Sequence, residues 1–250
     1  PGDRFVRWIL YGKIPQKGLN MATGILNIFI DFGGVLYKID IQRTIDAFAG
    51  YSELTTDEII NMVGNPIFSE YERGEISTDQ FRHRAKEIFQ LNCTDEQFDD
   101  AWNATLISKI ETSEAIINKF KKFGRVFLLS NTNELHLNKF RPECQRLFSL
   151  FDGLFFSHEL GLSKPDPRIF QLVMEQTGSP VEYSVFIDDT RENTDAAGKL
   201  GMYALHLNFG SVSRFLHTVK FRAQECQLYE IRKETSPSAC EPFIRQNTRE

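Results

Sequence analysis

No stretch of this 250-residue chain approaches the roughly 18 consecutive apolar residues that a membrane-spanning helix needs, so no membrane association is expected. The four cysteines, Cys93, Cys144, Cys226 and Cys240, are scattered without a C-x-x-C pair, which excludes a zinc knuckle or a dithiol redox motif. A reducing, cytoplasmic location is the expectation that follows. Positive charge is also in short supply. A net charge of −5 offers no basic surface for nucleic acid. The Phe5–Tyr11 stretch is broken by Arg7 and lacks a small-residue cleavage site, so no targeting signal is expected. Internal repeats and low-complexity tracts are missing too, and nothing implies a protein partner.

The composition is that of a globular protein, with 41% apolar and 25% charged residues. Within it one stretch stands out: residues 25–36, Ile-Leu-Asn-Ile-Phe-Ile-Asp-Phe-Gly-Gly-Val-Leu. The apolar run reads as a strand buried on both faces, and it halts at a single carboxylate, Asp31, followed by Gly33 and Gly34. A carboxylate at the C-terminal tip of such a strand sits where open α/β sheets bind ligands.

Residues 1–24 keep no period and read as an extension. Residues 39–106 carry helical punctuation and no convincing strand. Thr55-Thr56-Asp57-Glu58 and Ser77-Thr78-Asp79-Gln80 resemble capping boxes, and a further helix is expected from Thr94. From Thr112 strands alternate with helices, which predicts a parallel sheet with crossover helices. Ser113–Phe123 is expected to be helical and closed by Gly124. Strands follow at Arg125–Leu129, Leu154–Phe156, Tyr183–Ile187 and Met202–Leu207, with helices at Arg168–Thr177 and Asn193–Leu200, and Phe215–Val219 closes the fold. Residues 220–250 lose period and read as tail. The expected organisation is a doubly wound, Rossmann-like α/β core over 25–38 and 107–219, interrupted by a small α-helical domain over 39–106.

Three of these strands end in groups that handle charge: Asp31, Ser130-Asn131 and Asp188-Asp189. A parallel sheet gathers its strand C-termini on one edge, so these groups converge. Three carboxylates there would repel one another unless a cation sat among them, and an all-oxygen set favours Mg²⁺.

The ordered set Asp31, Ser130 in Leu-Leu-Ser-Asn-Thr-Asn, Lys164 in Gly-Leu-Ser-Lys-Pro-Asp-Pro, and Asp188-Asp189 in Phe-Ile-Asp-Asp resembles the four motifs of the haloacid dehalogenase-like hydrolase superfamily. The resemblance implies that Asp31 is a nucleophile forming an aspartyl-phosphate. It implies that Ser130 and Lys164 hold the phosphoryl group, that Asp188 assists, and that Asp31, Asp189 and the Gly33 carbonyl bind Mg²⁺. Backbone N–H groups around Phe32, Gly33, Gly34 and Asn131 would cradle the phosphate. Neither His136 nor His158 receives a role.

The helical segment 39–106 resembles the family's cap, which selects the substrate, and Glu72 and Arg73 before its Gly-Glu-Ile-Ser turn are expected to contact the substrate or replace a proton donor. Phosphatases of the superfamily generally carry Asp-x-Asp in the first motif, the second Asp being the general acid and base; here that position is Gly33. The texture is closest to the glucose-1-phosphatase-like branch, in which Asp-x-Gly occurs. The expectation is therefore a Mg²⁺-dependent phosphatase of small phosphorylated metabolites such as hexose 1-phosphate. Two alternatives stay open: a catalytically weak phosphate-binding or regulatory protein, and a metal-independent 2-haloacid dehalogenase.

Overall fold

The computed structural model describes residues 26–207; the expected extension over 1–24, the closing segment Phe215–Val219 and the tail over 220–250 lie outside the described residues. In chain order, strand β1 (Leu26–Ile30) is followed by β2 (Tyr37–Ile39) and five helices. These are α1 (Ile41–Ala49), α2 (Thr56–Asn61), α3 (Pro66–Glu72), α4 (Thr78–Ile88) and α5 (Asp95–Asn103). Then come β3 (Leu106–Lys109), α6 (Ser113–Phe120), β4 (Gly124–Ser130), α7 (Glu134–Phe148) and β5 (Gly153–Phe156). The chain continues through α8 (Ser157–Leu160), α9 (Pro167–Thr177), β6 (Ser184–Asp188), α10 (Arg191–Lys199) and β7 (Tyr203–His206).

Five strands form a parallel sheet in the order β5-β4-β1-β6-β7. This is the doubly wound α/β arrangement that the alternation of strands and helices predicts. Every residue of β1 and of β6 is buried, which is why both read as nearly continuous apolar runs. The chain leaves β1 toward β4 and leaves β6 toward β7, in opposite directions. A crevice therefore opens between β1 and β6 at the C-terminal edge, the place where such sheets hold ligands.

The helices α1–α5 build a separate apolar cluster around Phe48, Phe81, Phe89 and Phe98. Three of its five helix starts are those that the sequence marks. Thr55 with Glu58, Ser77 with Gln80, and Thr94 with Gln97 all form reciprocal capping boxes, which pair otherwise orphaned backbone donors. Tyr71 stacks on Phe81 with ring centroids 4.1 Å apart, and Trp102 stacks on Phe68 at 5.5 Å.

The cluster is fastened to the start of α7. The Leu135 N–H donates to the Tyr71 hydroxyl (3.2 Å), the Trp102 indole donates to Asn133 Oδ1 (3.3 Å), and the Thr78 hydroxyl donates to Glu134.

The structure departs from the sequence expectations at three places. Gly124 does not close a helix; α6 ends at Phe120 and Gly124 opens β4. A Cβ on Gly124 would lie 2.0 Å from the Leu26 carbonyl oxygen, so β1 and β4 can pair there only if this position is glycine. Helix α7 was not expected, because Pro142 lies inside it. It forms because Leu135, Leu137, Phe140, Cys144, Leu147 and Phe148 bury one face. The third is the short antiparallel ribbon of β2 and β3, half-exposed and irregular in register, which flanks the helical cluster.

Candidate active site

Asp31 follows β1 directly, and its N–H donates to the Ile187 carbonyl (2.9 Å), which fixes the tip of β1 against β6. Lys164 reaches the same spot from the loop between α8 and α9. That loop is held by Asn131, whose side chain accepts from the Lys164 N–H (2.9 Å) and donates to the Lys164 carbonyl (2.8 Å). The Lys164–Pro165 peptide is cis. The ammonium of Lys164 is buried and donates to three acceptors: Asp31 Oδ1 at 2.6 Å, Asp188 Oδ2 at 2.7 Å and the Leu129 carbonyl at 3.0 Å. An ammonium has three hydrogens, so none is left unpaired.

Asp188 is fully buried and also accepts from the Thr190 N–H (2.7 Å) and the Asn193 amide (3.0 Å). Thr190, and neither acid, occupies the cap position of α10.

Burial pushes the Asp31 carboxyl up to about 7; Lys164 opposes the rise and Asp188 reinforces it. Burial alone would lower Lys164, but the carboxylates of Asp31 and Asp188 outweigh it and hold the ammonium above its ordinary range. Asp189 is raised by burial and by its neighbour Asp188. Carboxylate oxygens of Asp31, Asp188 and Asp189 all lie within 4.8 Å of one another. This crowding of hard oxygen donors fits a small divalent cation, which would favour the charged form of each.

Two glycines shape the turn after β1. Gly34 has φ +69°, and a Cβ there would lie 1.9 Å from Asp189 Oδ2, so only glycine lets this turn approach the acid. Beside Gly33, a Cβ would meet Ile39 Cδ1 at 3.3 Å. The place of the missing second acid is thus partly filled by an apolar side chain from β2.

Asp31, Ser130, Asn131, Lys164, Asp188 and Asp189 share one sheet edge. Ser130 is buried at the tip of β4, its hydroxyl 3.3 Å from the Asn131 carbonyl. Glu72, at the end of α3, is mostly buried and lies within the electrostatic reach of Lys164. Arg73 is not brought to this cluster: its guanidinium pairs with Glu75 at 2.6 and 2.9 Å. Sequence reasoning missed Asn193 and the clamp that the Asn131 side chain places on the lysine loop. Asking what else a buried Asp188 carboxylate accepts would have pointed to the amide of Asn193, five residues onward.

A parallel sheet whose strand tips gather a buried lysine and three carboxylates makes a site built to handle charged groups. The haloacid dehalogenase-like hydrolase family matches residues 25–201, and the chain belongs to it.

A D-ribitol-5-phosphate phosphatase of Bacteroides thetaiotaomicron is 30% identical over 187 residues, covering 71% of this chain and 89% of the relative. A sesquiterpene phosphatase of Aspergillus oryzae is 25% identical over 188 residues, 75% of this chain and 92% of that protein. The crystal structure of a family enzyme from B. thetaiotaomicron in complex with magnesium and inorganic phosphate superposes with a TM-score of 0.65. It is 31% identical and matches 75% of this chain and 96% of that one. The protein is a phosphatase, a hydrolase of phosphoric monoesters. Among the described residues no helix is long and apolar enough to cross a membrane.

Proposed function

We propose that Asp31 is the nucleophile of a Mg²⁺-dependent phosphatase acting on a small phosphorylated metabolite, and that helices α1–α5 form the cap that closes over it. The observation that carries this reading is the buried Lys164 ammonium set between Asp31 and Asp188. One oxygen of Asp31 forms a bond to phosphorus as the bond from phosphorus to the ester oxygen breaks, and the departing alcohol takes up a proton. Water then attacks the aspartyl-phosphate, releasing inorganic phosphate and restoring Asp31.

Lys164 offsets charge on the transferring group and orients Asp31, while the Ser130 hydroxyl and the N–H groups of Asn131 and the Gly33-Gly34 turn bind phosphate oxygens. Asp188, through Lys164 and Asn193, positions the lysine. Asp31, Asp189 and the Gly33 carbonyl would hold Mg²⁺, which supplies charge stabilisation for phosphoryl transfer. Retention of both Asp188 and Asp189 speaks against metal-independent dehalogenation.

The alcohol is a finer matter. The ribitol-phosphate phosphatase among the relatives supports the sugar or polyol phosphate that the sequence suggests, and an anomeric phosphate suits a site without an acid at Gly33. The sesquiterpene phosphatase supports an apolar alcohol instead.

Asp31→Asn keeps the shape of the side chain and is expected to lower kcat about 10⁴-fold or more with an unchanged circular dichroism spectrum. Chelation should likewise abolish phosphate release, and added Mg²⁺ should restore it. Undiminished phosphate release by Asp31→Asn would falsify the nucleophile assignment.

A further inference from the structure

A cavity of about 380 Å³ opens within the α1–α5 cluster, and its walls include Ile41, Ile45, Phe48, Val63, Phe68 and Trp102. At the ~30 Å³ that a water occupies in the liquid, this is room for about a dozen heavy atoms. The polar groups in the lining are largely committed to the protein itself. The Thr44 hydroxyl donates to the Trp102 carbonyl (2.9 Å) and accepts from the Thr105 N–H (3.1 Å). The Ser69 hydroxyl donates to Pro66 (2.9 Å), and the Asn65 side-chain carbonyl caps α3 through the Ile67 N–H (3.0 Å). Glu72 is the one charged residue in the lining, and its carboxyl has no hydrogen-bond partner among the described residues.

Two links tie the cavity to the catalytic edge. Lys164, 2.6 Å from Asp31, exerts its charge on Glu72, as does Arg73. Ile39 lies over Gly33, and the chain leads from there within two residues to Ile41 in the cavity wall. Attacking and leaving oxygens lie roughly in line during phosphoryl transfer. Lys164 occupies one oxygen of Asp31, which leaves the other to attack phosphorus.

We propose that this cavity is the leaving-group site, that the alcohol it takes is apolar, a branched or aromatic hydrocarbon, and that Glu72 donates the proton to the ester oxygen. The inference rests on the Asp31 phosphatase reading. Asp31 forms the new bond to phosphorus, the bond to the ester oxygen breaks, and that oxygen leaves as the alcohol carrying the Glu72 proton. Burial raises the Glu72 carboxyl despite Lys164 and Arg73, in keeping with a group held ready to donate. Each hydroxyl of a polyol buried here without a partner costs about tenfold in binding, whereas each methylene adds roughly fourfold. The lining thus favours a hydrocarbon over the sugar phosphate expected from the sequence.

The test compares kcat/KM for geranyl phosphate, D-ribitol 5-phosphate and acetyl phosphate, each with Mg²⁺. Geranyl phosphate is expected to exceed ribitol 5-phosphate at least tenfold. Val63 is 38% exposed, so Val63→Asp spares the fold; it should lower geranyl phosphate turnover at least tenfold more than acetyl phosphate turnover. Glu72→Gln should show the same bias, because the carboxylate released from acetyl phosphate needs no proton. Equal or better use of ribitol 5-phosphate, or equal losses on both substrates in the two variants, overturns the inference while leaving the phosphatase reading intact. No phosphate release from any of the three overturns both.

Discussion

The sheet edge and the helical cluster are both buried, yet they are stabilised by opposite means. At the edge, Lys164, Asp31 and Asp188 are held by mutual charge and a closed set of hydrogen bonds, and no member has a substitute. In the cluster, Phe48, Phe81, Phe89 and Phe98 are held by shape and apolar area, to which many residues contribute in small amounts. Loss of one partner at the edge leaves uncompensated buried charge, whereas loss of one ring in the cluster leaves a hole that its neighbours can partly fill. The first region therefore carries chemistry at a cost in stability, and the second carries stability and leaves room for specificity.

Lys164→Met tests this contrast most severely. It leaves Asp31 and Asp188 buried together without their cation, and removing one partner of a buried pair typically costs about 3–5 kcal/mol. The expected result is lost phosphate release together with a large fall in the denaturant midpoint. If Asp31 and Asp189 hold Mg²⁺ as proposed, raised Mg²⁺ should recover part of the stability. Phe98→Ala is the counterpart in the cluster. Phe98 is fully buried against Phe48 and Phe81, so the cavity should cost about 3–5 kcal/mol. Its phosphatase activity, assayed well below the unfolding transition, should stay within about tenfold of the parent. If Phe98→Ala abolishes activity while still folded, the two regions are not separable in the way argued.

The same contrast explains what could be read before any coordinates. The convergence of Asp31, Ser130 and the Asp188-Asp189 pair was legible because a parallel sheet gathers its strand C-termini on one edge, and Lys164 was legible from its place in the ordered motifs. The parallel core was legible because β1, β4 and β6, buried on both faces, read as apolar runs. Two helices of the cluster announced themselves through capping boxes, and a third through its expected start at Thr94. What was hidden depended on packing. Pro142 disguised α7, and β2 and β3 are too short and exposed to alternate. The destination of Arg73 was also hidden, because a charged residue beside a flexible turn pairs with whichever acid the turn brings near, here Glu75. The missing acid at Gly33 was visible in the sequence, but that Ile39 lies over its place was not.

The joint between the two regions should respond to pH, with a smaller effect. His136 lies under Trp102, ring centroids 4.9 Å apart and nearly parallel. Its Nε2 donates to the Trp102 carbonyl (3.3 Å), which leaves Nδ1 to accept from the Asn133 amide (3.1 Å), so the neutral ring satisfies both neighbours. Burial lowers the imidazole from 6.5 to about 4, the carbonyl contact opposing this only in part.

A histidine depressed in the folded state binds fewer protons folded than unfolded between those values, so stability falls as pH drops through that window. A shift from 6.5 to about 4 sets an upper bound of about 3 kcal/mol on the effect. Protonation would also turn Nδ1 into a second donor facing the Asn133 amide. Thermal melting between pH 7 and 4 should therefore show a drop that His136→Phe reduces, because a phenyl ring keeps the stack on Trp102 and cannot titrate. Parallel pH profiles for the two proteins would remove His136 as the acid-sensitive point of the joint and leave the carboxylates of the sheet edge to account for the loss.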